Sequence, residues 1–469
     1  MGGDFIIGCV GKPSAGKSTF FNAATEGSTA KVGSYPFTTI TPNEGIGYYI
    51  TDCPCKKYGV GCSPRYGRCV SGRRSVPIRL LDVAGLIPGA SEGRGLGCKF
   101  LDDLRVADVL LHIIDVSGTT NEKGETTTGY DPSADHEWLL SEVELWIFKN
   151  IWGKWTSVAR RHAATNSSLL DTFSAQFSGY GAPQTLVAAA LQELHRSRRS
   201  RSQALQEAAA PAAAAAAAAG VSAGAAVARG TDDASLLPED LTKWASEDVM
   251  ELVKTFVKIR FPFVLVLNKC DAGGDVDKNV LRLSSKFRDS PLVLTSALAE
   301  CFLQKLQQQK MIAYDPCSGT AYCSEDLRGP GSSRLKEEQQ QLIKSLKPID
   351  PKAFHRLEKV RDLMLFRHGG TGVAEALRVA VEVLGQRMAV YPVKTLQLSA
   401  VDKKGRGPFV ECMLVKKGTT VGELAHLLHP AIARNFLFAE LPDGRRVGEN
   451  EVMTPESSII RITTDKGAQ

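Results

Sequence analysis

A glycine-rich loop between an apolar segment and a helix-forming segment constrains the fold of this chain more than any other feature. Residues 11–18 read GKPSAGKS and match the G-x4-G-K-[ST] pattern. The preceding residues 5–10 form a short apolar run typical of a buried strand, and residues 19–24 can open a helix. Backbone N–H groups, the helix N-terminus and the charge of Lys17 all favour an anion there. This context predicts a phosphate-binding loop rather than a chance glycine-rich turn, with contacts from Gly11, Ser14, Ala15, Gly16, Lys17, Ser18 and Thr19.

Two downstream segments have the chemistry of nucleotide switches. The first, residues 35–40 (YPFTTI), includes Thr39, whose hydroxyl suits Mg²⁺ and whose N–H suits a γ-phosphate. The second, residues 82–85 (DVAG), follows an apolar run, so Asp82 can hold Mg²⁺ through water and the Gly85 N–H can meet the γ-phosphate. Because Mg²⁺ prefers hard oxygen ligands, Ser18, Thr39 and Asp82 are the predicted Mg²⁺ site. Lys17, Thr39 and Gly85 are the predicted catalytic residues.

A third set of residues has the chemistry of a guanine-reading site. Asn268, Lys269 and Asp271 form an N-K-x-D motif directly after an apolar strand. A carboxylate at Asp271 accepts from N1–H and the 2-amino group of guanine, whereas adenine offers no such pair of donors. Lys269 is expected to pack its stem along the base, and Ser296 and Ala297 to present backbone N–H groups to O6. The chain thus has five motifs in this order, most of them at strand ends: the phosphate loop, residues 35–40, residues 82–85, the N-K-x-D motif and Ser296 with Ala297. Together they predict a GTP-binding protein.

These motifs resemble the Obg superfamily of translation-factor GTPases. The resemblance rests on residues 35–43 (YPFTTITPN), 82–90 (DVAGLIPGA) and 93–97 (GRGLG), and it covers about residues 1–130, 245–300 and 365–466. Within the superfamily the chain looks like the YchF, or Obg-like, subfamily in a eukaryotic and archaeal branch. YchF proper has a degraded base-reading motif and prefers ATP, whereas Asn268 and Asp271 are intact here. Obg-type loops often carry an asparagine that supports potassium activation. Ser14 stands at that position, so potassium activation is not carried over.

The resemblance implies an α/β fold built on a P-loop NTPase G domain, with a mostly parallel sheet and helices on both faces. The predicted domains are a G domain (1–130 and 245–388), a helical insertion (131–244) containing a low-complexity linker (196–235), and a C-terminal module (389–466). That module resembles a TGS domain, a small β-grasp unit, through GTTVGELAH at 418–426, FLFA at 436–439 and SIIRI at 458–462. The resemblance implies RNA or ribosome contact, with Lys403, Lys404, Arg406, Arg445 and Arg446 as candidate phosphate contacts.

Four cysteines lie between the two switch segments, at Cys53, Cys55, Cys62 and Cys69. Four thiols within seventeen residues suit a tetrahedral structural Zn²⁺, although the C-x-C-x6-C-x6-C spacing is not the usual paired C-x2-C knuckle. The alternative is a cysteine-containing hairpin between two edge strands, with no metal.

Composition limits the remaining classes. The 469 residues carry a net charge of +6, which is compatible with a ribosome or RNA partner but does not require one. No apolar run reaches the length of a membrane span, and no sequence-specific DNA-binding motif is expected. The odd number of cysteines, eleven, predicts reduced thiols in the cytoplasm, and a monomer is expected.

The predicted function is a GTPase that acts as a molecular switch bound to the ribosome. Its GTP hydrolysis is expected to be slow without a partner, because Leu86 replaces the glutamine that orients the attacking water in Ras-type enzymes. The alternatives are a GTP-dependent RNA or ribosome scaffold that does not hydrolyse, and an ATPase as in YchF proper.

Overall fold

The computed structural model describes residues 5–25, 44–83, 103–218, 237–328, 335–401 and 405–465. Thr39 with its switch segment, Gly85, Leu86, and both Lys403 and Lys404 lie outside these residues. The chain divides into two compact units, the first comprising 1–88, 95–137 and 263–469 and the second 89–94 and 138–262. None of the described helices has the length and apolar character needed to span a bilayer.

The first unit contains a seven-stranded sheet within the described residues, in the order β2-β4-β1-β5-β6-β7 with β3 also paired to β4. Strands β4, β1, β5, β6 and β7 are parallel, and β2 and β3 run antiparallel to β4. This mostly parallel sheet with helices confirms the predicted α/β fold class. The strand bounds are β1 (Ile6–Val10), β2 (Glu44–Asp52), β3 (Arg68–Val70), β4 (Arg73–Asp82), β5 (Val109–Asp115), β6 (Phe263–Asn268) and β7 (Leu292–Leu294).

The central strands are continuous apolar runs because the sheet is covered on both faces. Every residue of β5 and of β6 is buried. The helices, in chain order, are α1 (Lys17–Ala24), α2 (Cys55–Tyr58), α3 (Ser133–Trp152), α4 (Trp155–Thr165), α5 (Leu169–Phe177), α6 (Gln184–Ala218), α7 (Ser246–Arg260), α8 (Val276–Lys286), α9 (Ala297–Gln308), α10 (Glu337–Lys344), α11 (Pro351–Val360), α12 (Val373–Val379), α13 (Val421–Leu428) and α14 (Pro430–Arg434).

The C-terminal part of the first unit contains a second sheet of five strands, in the order β11-β10-β14-β12-β13. A two-stranded hairpin, β8–β9, lies between α9 and α10 and was not expected from the sequence. The remaining strand bounds are β8 (Ile312–Asp315), β9 (Thr320–Cys323), β10 (Arg387–Pro392), β11 (Met413–Lys416), β12 (Phe436–Glu440), β13 (Arg446–Val447) and β14 (Ile459–Thr464). A C-terminal sheet domain is thus present, and its assignment as a TGS domain stays a prediction.

The described part of the second unit is helical, and α3 buries one apolar face. Leu139, Val143 and Ile147 lie one turn apart on α3 and are fully buried. The linker predicted over residues 196–235 allowed for some helix, and α6 extends through its first half to Ala218. Arg198 on this helix is 15% exposed and pairs with Asp248 and Glu251 of α7, at 2.7 and 2.9 Å. The alanine run extends the helix because alanine has the highest helix propensity.

The sequence placed α7 in the nucleotide-binding domain, whereas the chain contacts group it with the helical unit. The predicted domain boundaries otherwise stay predictions.

Candidate nucleotide-binding site

The predicted motif residues converge because parallel strands end at one edge of the sheet. Cys9 of β1 is paired with Asp82 at the end of β4. Asp115 at the end of β5 is likewise paired with Asn268 at the end of β6. Ligands of open α/β sheets bind outside the carboxyl ends of the strands, so this edge is the candidate site.

Glycine is required at two positions of the phosphate loop. Gly11 has φ of +146°, and a Cβ there would lie 2.4 Å from the carbonyl oxygen of Ile113. Gly16 has φ of +94°, and a Cβ there would lie 2.3 Å from Nδ2 of Asn268. Both contacts are far below van der Waals distance, so the loop can pass beside β5 and the base-reading motif only with glycine at both positions.

Lys17, Ser18 and Asp82 form the phosphate side of the site. Nζ of Lys17 donates to the carbonyl oxygen of Lys12 at 2.8 Å, which holds the ammonium group within the loop. Burial lowers the pKa of Lys17, and the nearby Asp82 carboxylate opposes part of that shift. The Ser18 hydroxyl donates to Oδ2 of Asp82 at 2.9 Å. A hydroxyl beside a carboxylate is a donor set that suits Mg²⁺, so the two described residues fit the predicted ion.

Asn268 connects the phosphate loop to the loop after β7. Its Nδ2 donates to the carbonyl oxygen of Ala15 at 2.9 Å, and its Oδ1 accepts from the N–H of Ala297 at 3.1 Å. The side chain is 3% exposed, so these hydrogen bonds are shielded from water. Asn268 therefore positions two loops of the site relative to each other, a role that the motif alone does not reveal.

Lys269 and Asp271 differ in their surroundings. Nζ of Lys269 donates to Oδ2 of the fully buried Asp115 at 2.7 Å. Burial would raise the pKa of Asp115, but hydrogen bonds from Lys269, Ser117 and Thr120 outweigh it and lower that pKa. Asp271 is half-buried and makes no hydrogen bond or ion pair with any residue in the described ranges. Its carboxylate is consequently available to a ligand.

Both backbone N–H groups that were predicted to face guanine O6 already donate hydrogen bonds within the protein. The Ser296 N–H donates to the carbonyl oxygen of Thr371 at 2.9 Å, and the Ala297 N–H donates to Asn268. Contact of either group with a base therefore requires exchange of an existing hydrogen bond.

Lys12 was missed by the sequence motifs, and it is completely buried inside the phosphate loop. Its Nζ lies 3.0 Å from Oδ2 of Asp135 on α3 and donates to the carbonyl oxygen of Thr120 at 2.7 Å. It also lies 4.1 Å from the ring centre of Tyr130. Lys12 thus anchors the phosphate loop from within, whereas Lys17 lies at its partly exposed side. The signal in the sequence is weak, since an "x" position of the motif accepts any residue.

Glu300 and Thr371 were also missed, and they support the loop after β7. Glu300 is 3% exposed and accepts from the hydroxyl of Tyr314 at 2.7 Å, from Gln304 at 2.9 Å and from the hydroxyl of Thr371. Thr371 in turn holds the Ser296 N–H. The site therefore has a buried polar support that comes from a later part of the chain.

His112 on β5 is fully buried. Its Nδ1 lies 3.0 Å from Nδ1 of His136 on α3. The ring of His136 packs edge-on against Phe263 and Phe287. Burial lowers the pKa of His112 well below its ordinary value, and burial lowers the pKa of His136 to about 4. The pair is therefore uncharged near neutral pH.

We expect this pair to make stability depend on pH. The unfolded chain protonates His136 near pH 6.5, whereas the folded protein keeps it neutral down to about pH 4. Stability is therefore fully present above pH 6.5 and is lost as the pH falls toward 4, by about 3 kcal/mol from His136. Thermal unfolding at several pH values should show a shallower acid decline for His136→Asn. His355→Asn, at an exposed position, should follow the wild-type decline. Equal declines in all three proteins would contradict the prediction.

The structure brings the four predicted cysteines together. The Sγ atoms of Cys53, Cys55, Cys62 and Cys69 all lie within 4.8 Å of one another. We call this group the thiol cluster.

The phosphate loop, the Ser18–Asp82 pair and the base-reading set at one sheet edge define a P-loop nucleotide-binding protein. Residues 6–139 match the family described as "50S ribosome-binding GTPase", and residues 266–395 match "Obg-like GTPase YGR210-like, G4 motif-containing domain". An uncharacterized GTP-binding protein of Schizosaccharomyces pombe is 39% identical over 98% of both chains. Another from Methanocaldococcus jannaschii is 33% identical over 98% of this chain and 99% of its own. The chain belongs to the Obg-like family of GTP-binding proteins.

Solved structures agree with this assignment. A GTP-binding protein from Pyrococcus horikoshii superposes with a TM-score of 0.66 at 26% identity, covering 98% of this chain and 100% of its own. The YchF GTPase of Schizosaccharomyces pombe gives a TM-score of 0.51 at 15% identity, covering 99% and 98%, and shows the shared fold.

Proposed function

We propose that the protein binds Mg²⁺–GTP, hydrolyses it slowly and acts as a molecular switch on the ribosome during translation. The observation that carries the proposal is the base-reading set. Asn268 joins the phosphate loop to the loop after β7, and beside it the Asp271 carboxylate has no partner among the described residues. An unpaired carboxylate at this position can accept the two donors of guanine, which adenine does not present in that arrangement.

The phosphate side supports hydrolysis through charge. Lys17 supplies a cation where negative charge develops on the transferred phosphoryl group, and the N-terminus of α1 adds backbone N–H groups. Ser18 and Asp82 are the described residues that would hold Mg²⁺, with Thr39 as a further ligand from the sequence. Held there, Mg²⁺ would neutralise negative charge on the phosphates of the nucleotide.

A single residue favours a second candidate, a GTP-dependent RNA scaffold that does not hydrolyse. Leu86 stands where Ras-type enzymes place the glutamine that orients the attacking water. With an apolar residue there, hydrolysis depends on another group that positions water, and a partner such as the ribosome would have to supply or order it.

Support for a ribosomal partner comes from the family described as ribosome-binding and from the C-terminal sheet that resembles a TGS domain. Arg445 and Arg446 pair at 3.8 and 3.5 Å with Glu451 and Glu440. Both arginines are more than half exposed, and exposed ion pairs contribute little stability, so RNA phosphates can compete for them.

The test combines nucleotide titration with single-turnover cleavage. We expect GTP to bind at least 100-fold tighter than ATP, and slow GTP cleavage to accelerate when ribosomes are added. Lys17→Ala is the control that should remove cleavage. Equal affinity for ATP and GTP would contradict selection of guanine by the base-reading set and would favour an ATPase. Tight GTP binding without cleavage, with or without ribosomes, would favour the scaffold.

Sedimentation through a sucrose gradient tests the partner separately. We expect the protein to migrate with ribosomal fractions in a non-hydrolysable GTP analogue and to leave them in GDP. Migration away from ribosomes in both nucleotides would exclude the translation role.

A further inference from the structure

The thiol cluster lies between β2 and β4, in residues 53–72, which we call the cysteine segment. This segment has little regular structure of its own. Its only elements among the described residues are α2, of four residues, and β3, of three. Cys53 and Cys55 are buried, and Cys62 and Cys69 are half-buried. A segment this small cannot bury enough apolar surface to hold itself in one conformation, so a further constraint is expected.

The separations of the sulfur atoms fit one tetrahedral metal ion. Sγ of Cys53 lies 3.7 Å from Sγ of Cys62, and Sγ of Cys55 lies 3.6 Å from Sγ of Cys69. Four sulfurs placed about 2.3 Å from a central Zn²⁺ are separated by roughly 3.8 Å along each tetrahedral edge. An iron–sulfur cluster would spread its thiolates further apart, because several irons and sulfides lie between them.

A buried arginine provides an independent observation that the thiol cluster carries negative charge. Arg74 on β4 is 1% exposed, and its Nη1 donates to Sγ of Cys62 at 3.2 Å. It also donates to the carbonyl oxygens of Phe409 and Val410, and its Nε has no partner within the described ranges. No described carboxylate forms an ion pair with it. A buried cation is costly without a counter-charge, and four neutral thiols provide none. Four thiolates around a divalent ion are anionic overall and supply it.

The thiol cluster also supports a distant part of the chain, residues 405–412, which we call the docking segment. The N–H of Gly407 donates to the carbonyl oxygen of Gly61 at 2.8 Å, and the N–H of Arg65 donates to that of Val410 at 3.0 Å. The side chain of Phe409 is 1% exposed and belongs to one apolar cluster with Cys53 and Cys55. The cysteine segment and Arg74 thus form the surface on which the docking segment rests.

We propose that Cys53, Cys55, Cys62 and Cys69 bind one structural Zn²⁺, and that this ion keeps the cysteine segment in the conformation that holds the docking segment. Four thiolates leave no open coordination position, which is the arrangement of structural rather than catalytic zinc. The soft sulfur ligands favour Zn²⁺ over Mg²⁺ or Ca²⁺. The GTP site uses none of these residues.

Elemental analysis of the full chain, purified under reducing conditions and without a metal-affinity step, tests the metal. We expect one zinc per wild-type chain and close to none in Cys53→Ser or Cys69→Ser. Cys317→Ser, the same change at an exposed cysteine outside the thiol cluster, should retain the zinc. Wild-type protein with no metal, or with iron in place of zinc, would overturn the proposal.

Two measurements on wild-type protein do not depend on whether a variant folds. Replacement of the metal by Co²⁺ should give the intense absorption of tetrahedral cobalt thiolate. Thiol titration after denaturation with a chelator should find all eleven cysteines reduced. A deficit of four thiols would mean that two disulfides occupy the thiol cluster, and the proposal would be wrong.

Hydrogen exchange with and without a zinc chelator tests the supporting role. We expect removal of zinc to speed exchange in the docking segment while β12, in the C-terminal sheet and outside that segment, stays protected. Unchanged exchange in the docking segment of zinc-free protein would refute that role. GTP titration of the same samples keeps this outcome separate from the proposed GTPase function.

Discussion

Replacing Asp271 by asparagine should lower GTP affinity by roughly 100- to 1000-fold, because two hydrogen bonds to a charged acceptor contribute about 3–4 kcal/mol together. The asparagine amide places a donor against the 2-amino group of guanine, itself a donor. Xanthine carries a carbonyl oxygen at that position, so XTP affinity should rise in the same variant. Competition titration of a fluorescent nucleotide with GTP and XTP measures both changes.

The gain in XTP affinity shows that the Asp271→Asn protein is folded, which loss of GTP binding alone would not. Asp275→Asn provides the matched control, since Asp275 is exposed and only four residues further on. It should bind GTP like the wild type. Wild-type GTP affinity in Asp271→Asn would show that Asp271 does not read the base.

Replacing Asp135 by asparagine should cost about 3–5 kcal/mol of folding free energy, because it leaves the buried ammonium group of Lys12 without its counter-ion. The two side chains are 0% and 1% exposed, and their charged atoms lie 3.0 Å apart. The hydroxyl of Tyr130, which donates to Oδ1 of Asp135 at 2.8 Å, also loses a charged acceptor. The lowered midpoint of thermal or urea unfolding measures the effect.

Removing the orphaned charge should restore much of this loss. In the double variant Lys12→Met/Asp135→Asn no buried cation remains, so we expect it to be more stable than Asp135→Asn alone. Asp277→Asn is the surface control, since Asp277 is 70% exposed in its pair with Arg367 and should contribute no more than about 1 kcal/mol. A double variant less stable than the single one would contradict the charge argument.

Much of the candidate site could be predicted from the sequence because its chemistry is local. The conformation of the phosphate loop needs glycine at Gly11 and Gly16, and each strand delivers its polar residue at its own carboxyl end. For this reason Ser18 and Asp82 meet as expected, and Asn268 stands at the end of β6. Asp115 ends an apolar strand just as Asp82 does, but its role as the partner of Lys269 did not follow from the sequence.

The sequence by itself determined the class of fold, the nucleotide motifs and the presence of four closely spaced thiols, because each depends on residues that are neighbours in the chain. Only the tertiary structure decided which lysine of the phosphate loop is buried, since Lys12 meets Asp135 through the packing of α3. It also decided that Arg74 lies between the thiol cluster and a docking segment 335 residues further along the chain. Burial and pairing of charge depend on which distant elements cover a side chain, and no local pattern specifies that.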